Sequence, residues 1–150
     1  MPTLELFPHR SIQLMLPAWG RRLLVKTIRK SFLDGNVSKM GAATPVVYVD
    51  VSVIYNHDAG TGIQRVVRAL ALALIDEGRS KFDIRFVAAD RKNPYCVVDW
   101  PSKVNGINPV VMRADPGDIF LGLDFSLDAV RRHYGQLLQF RKDGGDVWFL

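Results

Sequence analysis

The feature that most constrains the fold is an apolar run of strand character followed at once by one of helical spacing. Residues 46–55, Val-Val-Tyr-Val-Asp-Val-Ser-Val-Ile-Tyr, are almost continuously β-branched or aromatic, which is typical of a central parallel strand covered on both faces. Residues 62–78 then repeat apolar side chains every three or four positions, and Gly78 is placed to end that helix. A strand that leads into a helix in this way predicts the start of an α/β sheet.

The rest of the chain repeats this alternation. Strands are predicted at 82–90, 118–124 and from 146 onward, with a helix that begins after a Ser126 N-cap and ends near Gly144. Two short strand candidates lie between Arg91 and Asp115, and the sequence does not fix their order in the sheet. The predicted fold is α/β, with a Rossmann-like, mainly parallel sheet and flanking helices.

The chain divides into an N-terminal arm, residues 1–45, and a folded domain, residues 46–150. Within the arm, residues 19–33 predict an amphipathic helix, with apolar residues at four-residue spacing and lysines and arginines on its flanks. Such a helix can lie on an anionic membrane surface or pack on the protein itself. Because Leu150 falls inside an apolar strand, the domain is expected to be incomplete.

The formal net charge of +5 belongs to the arm, because the domain holds equal numbers of basic and acidic residues. A nucleic-acid-binding core would spread basic residues over a folded face, so no nucleic-acid partner is expected. Neither a signal peptide nor a membrane-spanning run is recognisable, and the single cysteine, Cys96, permits no internal disulfide. The expected location is cytoplasmic, with peripheral contact to the inner membrane through residues 19–33. No cofactor and no metal ion is expected.

The strongest candidate site is the stretch Gly60-Thr61-Gly62-Ile63-Gln64-Arg65 at the start of the long helix. Glycines there would let backbone approach a ligand, and the unpaired N–H groups of a helix start suit phosphate. Gln64 and Arg65 could add an amide and a charged fork to the same ligand. Equally, the stretch could be a tight turn in which Thr61 caps the helix and Arg65 lies in solvent.

Two further interpretations of this loop are weaker. It begins like the dinucleotide-binding pattern, with Asp90 ending the next strand where a ribose-binding acid would lie, but Arg65 stands where the third glycine belongs. A Walker loop is excluded because no Gly-Lys-Ser/Thr follows. His57, in the same loop, is the one candidate for catalytic chemistry, although a loop histidine is more often solvated.

The strings Tyr-Val-Asp-Val-Ser, Thr-Gly-Ile-Gln-Arg-Val and Pro-Gly-Asp-Ile-Phe-Leu-Gly-Leu-Asp-Phe-Ser resemble the N-terminal domain of bacterial GT-B glycosyltransferases of the family 4, group 1 type. The resemblance covers residues 46–150. It implies an enzyme that moves a sugar from a nucleotide-sugar donor to a glycan or lipid-linked acceptor. It also implies that Gly60, Thr61, Gly62, Gln64 and, less directly, Arg65 line the cleft near the donor diphosphate.

The resemblance further implies that Asp124, at the end of its strand, faces the cleft, while the residue chemistry alone also allows a helix cap there. The C-terminal donor-binding domain of such enzymes has no counterpart in these residues, so no catalytic residue is assigned and the chain alone is expected to be inactive. The alternatives are a non-catalytic Rossmann-like binding module and an NAD-dependent oxidoreductase domain, the latter requiring Asp90.

Overall fold

The computed structural model describes residues 44–78, 81–102 and 109–150, so the arm and its predicted amphipathic helix lie outside the described residues. The described strands are β1 (Val46–Asp50), β2 (Asp83–Ala88), β3 (Cys96–Val97), β4 (Val110–Val111), β5 (Ile119–Gly122) and β6 (Asp146–Phe149). The described helices are α1 (Ser52–Asn56), α2 (Gly62–Gly78), α3 (Leu127–Arg132) and α4 (Tyr134–Lys142). None of the helices in these ranges is long and apolar enough to cross a membrane.

The six strands form one mixed sheet in the order β4-β3-β2-β1-β5-β6. Strand β1 pairs parallel with β2 and β5, and β5 pairs parallel with β6, whereas β3 runs antiparallel to both β2 and β4. The α/β prediction with flanking helices is confirmed, but the sheet is mixed. The connection from β2 to β3 is residues 89–95, which is too short for the crossover that a parallel pair needs.

The predicted first strand, residues 46–55, is wrong in its second half. Strand β1 ends at Asp50, and Ser52–Asn56 form the short helix α1. The Asp50 carboxylate accepts hydrogen bonds from both the backbone N–H and the hydroxyl of Ser52, the former at 2.8 Å. This local side-chain bonding turns the chain at a point where hydrophobicity alone would continue the strand.

Two apolar clusters cover the two faces of the sheet. Alternate residues of β1 divide between them, with Val47 and Val49 in the first cluster and Tyr48 in the second. Helix α2 covers the first face, and helices α3 and α4 cover the second. This alternation is the physical basis of the apolar run that predicts β1, because a strand covered on both faces needs apolar side chains at every position.

The buried stripe of α2 differs from the one its periodicity suggests. The residues most buried along it include Gln64, Val67, Ala71 and Leu74. Ile63 is 76% exposed, because it lies in the first turn, to one side of this stripe.

The helix predicted from residue 126 to residue 144 is in fact two helices, α3 and α4, which meet at His133. Its Ser126 N-cap is confirmed, since the Ser126 hydroxyl accepts the Ala129 N–H at 3.2 Å.

Candidate functional site

The candidate site lies where β1 leads through α1 into the glycine loop, residues 57–61, and then into α2. This is the carboxyl edge of the parallel strands, the edge at which open α/β sheets bind ligands. All five loop residues are exposed to solvent, as are Gly62, Ile63 and Arg65 just beyond them. The fold therefore places the predicted residues 60–65 together at one accessible edge, with Gln64 as the buried member.

A reciprocal pair of hydrogen bonds begins helix α2. The Gln64 N–H donates to the Thr61 hydroxyl at 3.3 Å, and the Thr61 N–H donates to the Gln64 side-chain oxygen at 3.2 Å. This is a capping box, in which the N-cap and the third helical residue each satisfy an N–H that the helix leaves unpaired. Its sequence signature, Thr-x-x-Gln before an apolar run, is visible in the chain and supports the prediction that Thr61 caps the helix.

Gln64 also holds the shape of the glycine loop. Its side-chain oxygen accepts the Ala59 N–H at 2.9 Å, and its Nε2 donates to the His57 carbonyl at 2.7 Å. With only 5% of the residue exposed, the amide is directed into the loop. Both of its polar atoms are engaged by backbone, so the contribution of Gln64 to a ligand site is through the loop conformation that it enforces.

Gly60 and Gly62 leave the mouth of α2 open, where the mouth is the exposed backbone of residues 60–63. Gly60 has a φ of +65°, a left-handed conformation that L side chains rarely adopt. At both Gly60 and Gly62 an added Cβ would meet no atom within 4 Å. The backbone N–H groups of Gly62 and Ile63 have no hydrogen-bond partner within the described residues, and neither does the exposed Arg65 side chain. Two such N–H donors in the first turn of α2, followed by an exposed arginine, form a chemical setting that suits an anion.

Asp124, predicted at the cleft, is 7% exposed and caps helix α1. Its Oδ2 accepts the Ile54 N–H at 2.6 Å, and its carbonyl accepts the Val53 N–H at 3.3 Å. Burial raises the pKa of this carboxyl, and the bond from Ile54 opposes that rise. The helix that it caps follows β1, whereas Ser126 caps the helix that follows β5. Asp124, which follows β5, therefore holds the start of α1, the helix that leads from β1 into the glycine loop.

Asp50, which the sequence reasoning did not single out, lies fully buried at the end of β1. Burial raises the pKa of its carboxyl to about 7, and hydrogen bonds from Ser52 oppose the rise. The Ser52 hydroxyl in turn accepts the Ala89 N–H at 2.9 Å, so the pair joins the carboxyl ends of β1 and β2. The one available signal was an acid inside an apolar strand, which the resemblance treated only as part of a motif.

Tyr95 lies beside Asp50 and is also fully buried. The two side chains interact electrostatically, and burial, followed by the Asp50 carboxylate, raises the pKa of the Tyr95 hydroxyl. No hydrogen bond of ordinary geometry joins them: Asp50 Oδ2 and the Tyr95 hydroxyl are each buried without a partner within the described residues. Buried polar atoms without a hydrogen-bond partner are uncommon in native structures.

Asp90, the ribose-binding candidate of the oxidoreductase alternative, is engaged in its own turn. Its Oδ1 accepts the N–H groups of Lys92 at 2.6 Å and Asn93 at 2.7 Å, and its Oδ2 accepts the Asn93 side-chain amide at 2.9 Å. The hydrogen bonds from Asn93, more than that from Lys92, hold the pKa of this carboxyl below its usual value. The carboxylate thus stabilises the β2–β3 loop.

His57 and Cys96 are the remaining residues that the sequence analysis singled out. His57 is exposed and contributes its carbonyl to the loop, and Cys96 is buried in β3, where burial raises the pKa of its thiol. Over the ranges that the structure describes, no three histidine, cysteine or acidic side chains are grouped so that they could hold a metal ion. Searches of protein-family models, curated proteins and solved structures find no match to this chain.

Proposed function

We propose that residues 46–150 form the N-terminal, acceptor-side domain of a glycosyltransferase that moves a sugar from a nucleotide-sugar donor to a glycan or lipid-linked acceptor. In this proposal the mouth of α2 contacts the donor diphosphate, and residues 19–33 rest on the cytoplasmic face of the inner membrane. The sugar-transfer role comes from the resemblance of the Thr-Gly-Ile-Gln-Arg-Val string, since a fold of this class by itself specifies no function.

The observation that carries the proposal is that the N–H groups of Gly62 and Ile63, and the exposed Arg65 side chain two positions further on, have no hydrogen-bond partner among the described residues. They lie at the start of a 17-residue helix, whose dipole favours negative charge at that end. The absence of a Cβ at Gly60 and Gly62 leaves the space in front of them free for a bulky anion. The capping box and the Gln64 amide hold this geometry without consuming those two donors.

The direct test is a titration of the chain with nucleoside diphosphates and their sugar esters, followed through backbone amide signals in NMR spectra. UDP, GDP, UDP-glucose and GDP-mannose sample two bases and two sugars. We expect the amide signals of Gly62 and Ile63 to shift with the diphosphate and not with the corresponding nucleoside. Signals that stay unshifted with every compound would contradict the diphosphate role of this loop.

A matched pair of glycine variants tests whether open backbone matters. Gly62→Val adds a branched side chain at the mouth of α2, and we expect it to weaken diphosphate binding because it blocks the approach to the N–H groups. Gly135→Val is the control, because Gly135 also lies in the first turn of a helix with no atom within 4 Å of an added Cβ. Equal affinities of the two variants would show that the ligand does not approach Gly62.

A second proposal, a non-catalytic binding module, is favoured by apolar exposure at the same edge. Ile63 and Leu127, each in the first turn of a helix that follows a parallel strand, are 76% and 79% exposed. Exposed aliphatic side chains of this size suit a protein partner as well as an acceptor. Sugar transfer from a labelled donor by the longest expressed product of the gene would decide for the enzyme, and a stable complex without transfer would decide for the module.

A further inference from the structure

The glycine loop has polar tethers in place of an apolar anchor, since all five of its residues are exposed. Two tethers are local: the Gln64 amide described above, and the Asp58 Oδ1, which accepts the Gly60 N–H at 3.2 Å. The third tether joins the loop to helix α2, because Asp58 Oδ2 pairs with the Arg68 guanidinium at 2.5 Å. Asp58 thus shapes the loop with one oxygen and binds it to helix α2 with the other.

Arg68 connects this loop to the core. Its guanidinium carbon lies 5.8 Å from the centre of the Trp100 ring, within the range of a cation–π contact. Trp100 is 5% exposed and packs edge-on against Phe86 of β2, with ring centres 4.9 Å apart. A planar guanidinium can stack on an aromatic ring while its edge pairs with a carboxylate, which an ammonium group cannot do. The result is a continuous path from the loop through Arg68 to the sheet.

We propose that Arg68 is a positioning residue for the diphosphate contact, acting through Asp58 and not on the ligand itself. The Asp58–Arg68 ion pair holds the glycine loop in the shape that directs the Gly62 and Ile63 N–H groups toward the ligand. It also neutralises the Asp58 carboxylate, whose charge would otherwise repel a diphosphate, while the exposed Arg65 stays available to the ligand. This inference rests on the proposed function.

The test variant is Arg68→Gln, which removes the guanidinium, and the chain offers a matched control. Asp83 and Arg85 form a comparable exposed pair, 2.6 Å long, at the amino end of β2. Arg85→Gln therefore removes the same charge and the same type of ion pair far from the loop. Arg68→Lys keeps the charge but loses the stacking fork, and Asp58→Asn keeps the Oδ1 acceptor for Gly60 while removing the charge.

Two measurements separate positioning from direct contact. Hydrogen exchange of the Ala59 and Gly60 amides, without ligand, should quicken by about 2- to 5-fold in Arg68→Gln and Arg68→Lys, as expected for loss of an exposed pair. The affinity for inorganic pyrophosphate should fall by about the same factor in both variants. The Arg85→Gln chain should match the unmutated chain in both measurements. Asp58→Asn should loosen the loop with a smaller loss of affinity, because the repelling charge is removed as well.

Each other outcome overturns a distinct statement. Loop exchange that stays unchanged in Arg68→Gln would show that the pair does not hold the loop. A looser loop with unchanged pyrophosphate affinity, or full affinity in Arg68→Lys, would refute positioning. If the unmutated chain fails to bind pyrophosphate, the proposed function fails first and the positioning role falls with it. The exchange data in that case show Arg68 to be a purely structural residue.

Discussion

Replacement of Asp50 by asparagine is expected to stabilise this protein at neutral and alkaline pH. The Asp50 carboxyl is fully buried, with one oxygen bonded to Ser52 and the other without a partner, next to the equally unpartnered Tyr95 hydroxyl. Asparagine keeps the oxygen that Ser52 contacts and carries no charge. The change therefore removes a buried charge and keeps the acceptor that Ser52 contacts.

The magnitude follows from the shift in pKa. The Asp50 pKa rises from 3.8 to about 7 in the folded protein, and each unit corresponds to about 1.4 kcal/mol, so the ionised carboxylate destabilises the fold by about 4 kcal/mol. Below pH 3.8 both states are protonated and the effect is absent. As the pH rises from about 4 to 7, only the unfolded chain ionises, so the contribution of Asp50 to stability falls; above about 7 the loss is complete.

The assay is urea unfolding of the unmutated and Asp50→Asn chains from pH 4 to pH 8.5. The two free energies of unfolding should be close at pH 4 and separate with rising pH, with the variant more stable by about 2 to 4 kcal/mol at pH 8. Taking the difference between the chains cancels every other titrating group. A difference that does not vary with pH, or a variant that is less stable at pH 8, would refute this reasoning.

Asp118→Asn is the matched control for that experiment. Asp118 is also buried, but both of its oxygens accept backbone N–H groups, from Val46 at 2.8 Å and from Asp115 at 2.9 Å. An amide there would direct its own N–H₂ against one of these donors, and the expected loss is about 1 to 3 kcal/mol. The same chemical substitution should therefore stabilise at one buried aspartate and destabilise at the other.

Two further predictions concern the loop and the arm. Gln64→Ala removes the partners of the His57 carbonyl and of the Ala59 and Thr61 N–H groups. It should lower the free energy of unfolding by about 1 to 2 kcal/mol and speed the exchange of the loop amides. Unchanged stability would show that Gln64 does not tether the loop. Lys26, Arg29 and Lys30 changed together to glutamate should release the chain from anionic vesicles in a sedimentation assay if residues 19–33 bind membranes, and undiminished binding would disprove that role.

Short-range chemistry is what the sequence predicted well. The strand at β1, the end of α2 at Gly78 and the Ser126 cap all follow from apolar spacing or from hydrogen bonds between residues a few positions apart. The Thr61–Gln64 capping box belongs to the same class, since both partners lie within one helical turn. Signals of this kind can be read in a chain because the interacting groups are near neighbours in it.

The role of each acidic residue near the site could not be predicted in this way. Asp124 contacts Ile54, which is 70 positions away, and Asp50 lies beside Tyr95 only because β2 and its following loop pack next to β1. Arg68 meets Trp100 through the same arrangement of the sheet. A residue type reveals what a side chain can bind, whereas its partner depends on which strands become neighbours.

The sequence by itself therefore determined the α/β class, the strand that precedes the glycine loop and the Ser126 cap, because these depend on periodicity and local hydrogen bonding. Only the tertiary structure decided the mixed strand order, the burial of Asp50 and the contact of Trp100 with the Arg68 side chain that pairs with Asp58. The physical reason is that burial and long-range pairing are properties of the packed sheet, in which residues far apart in the chain remove one another from water.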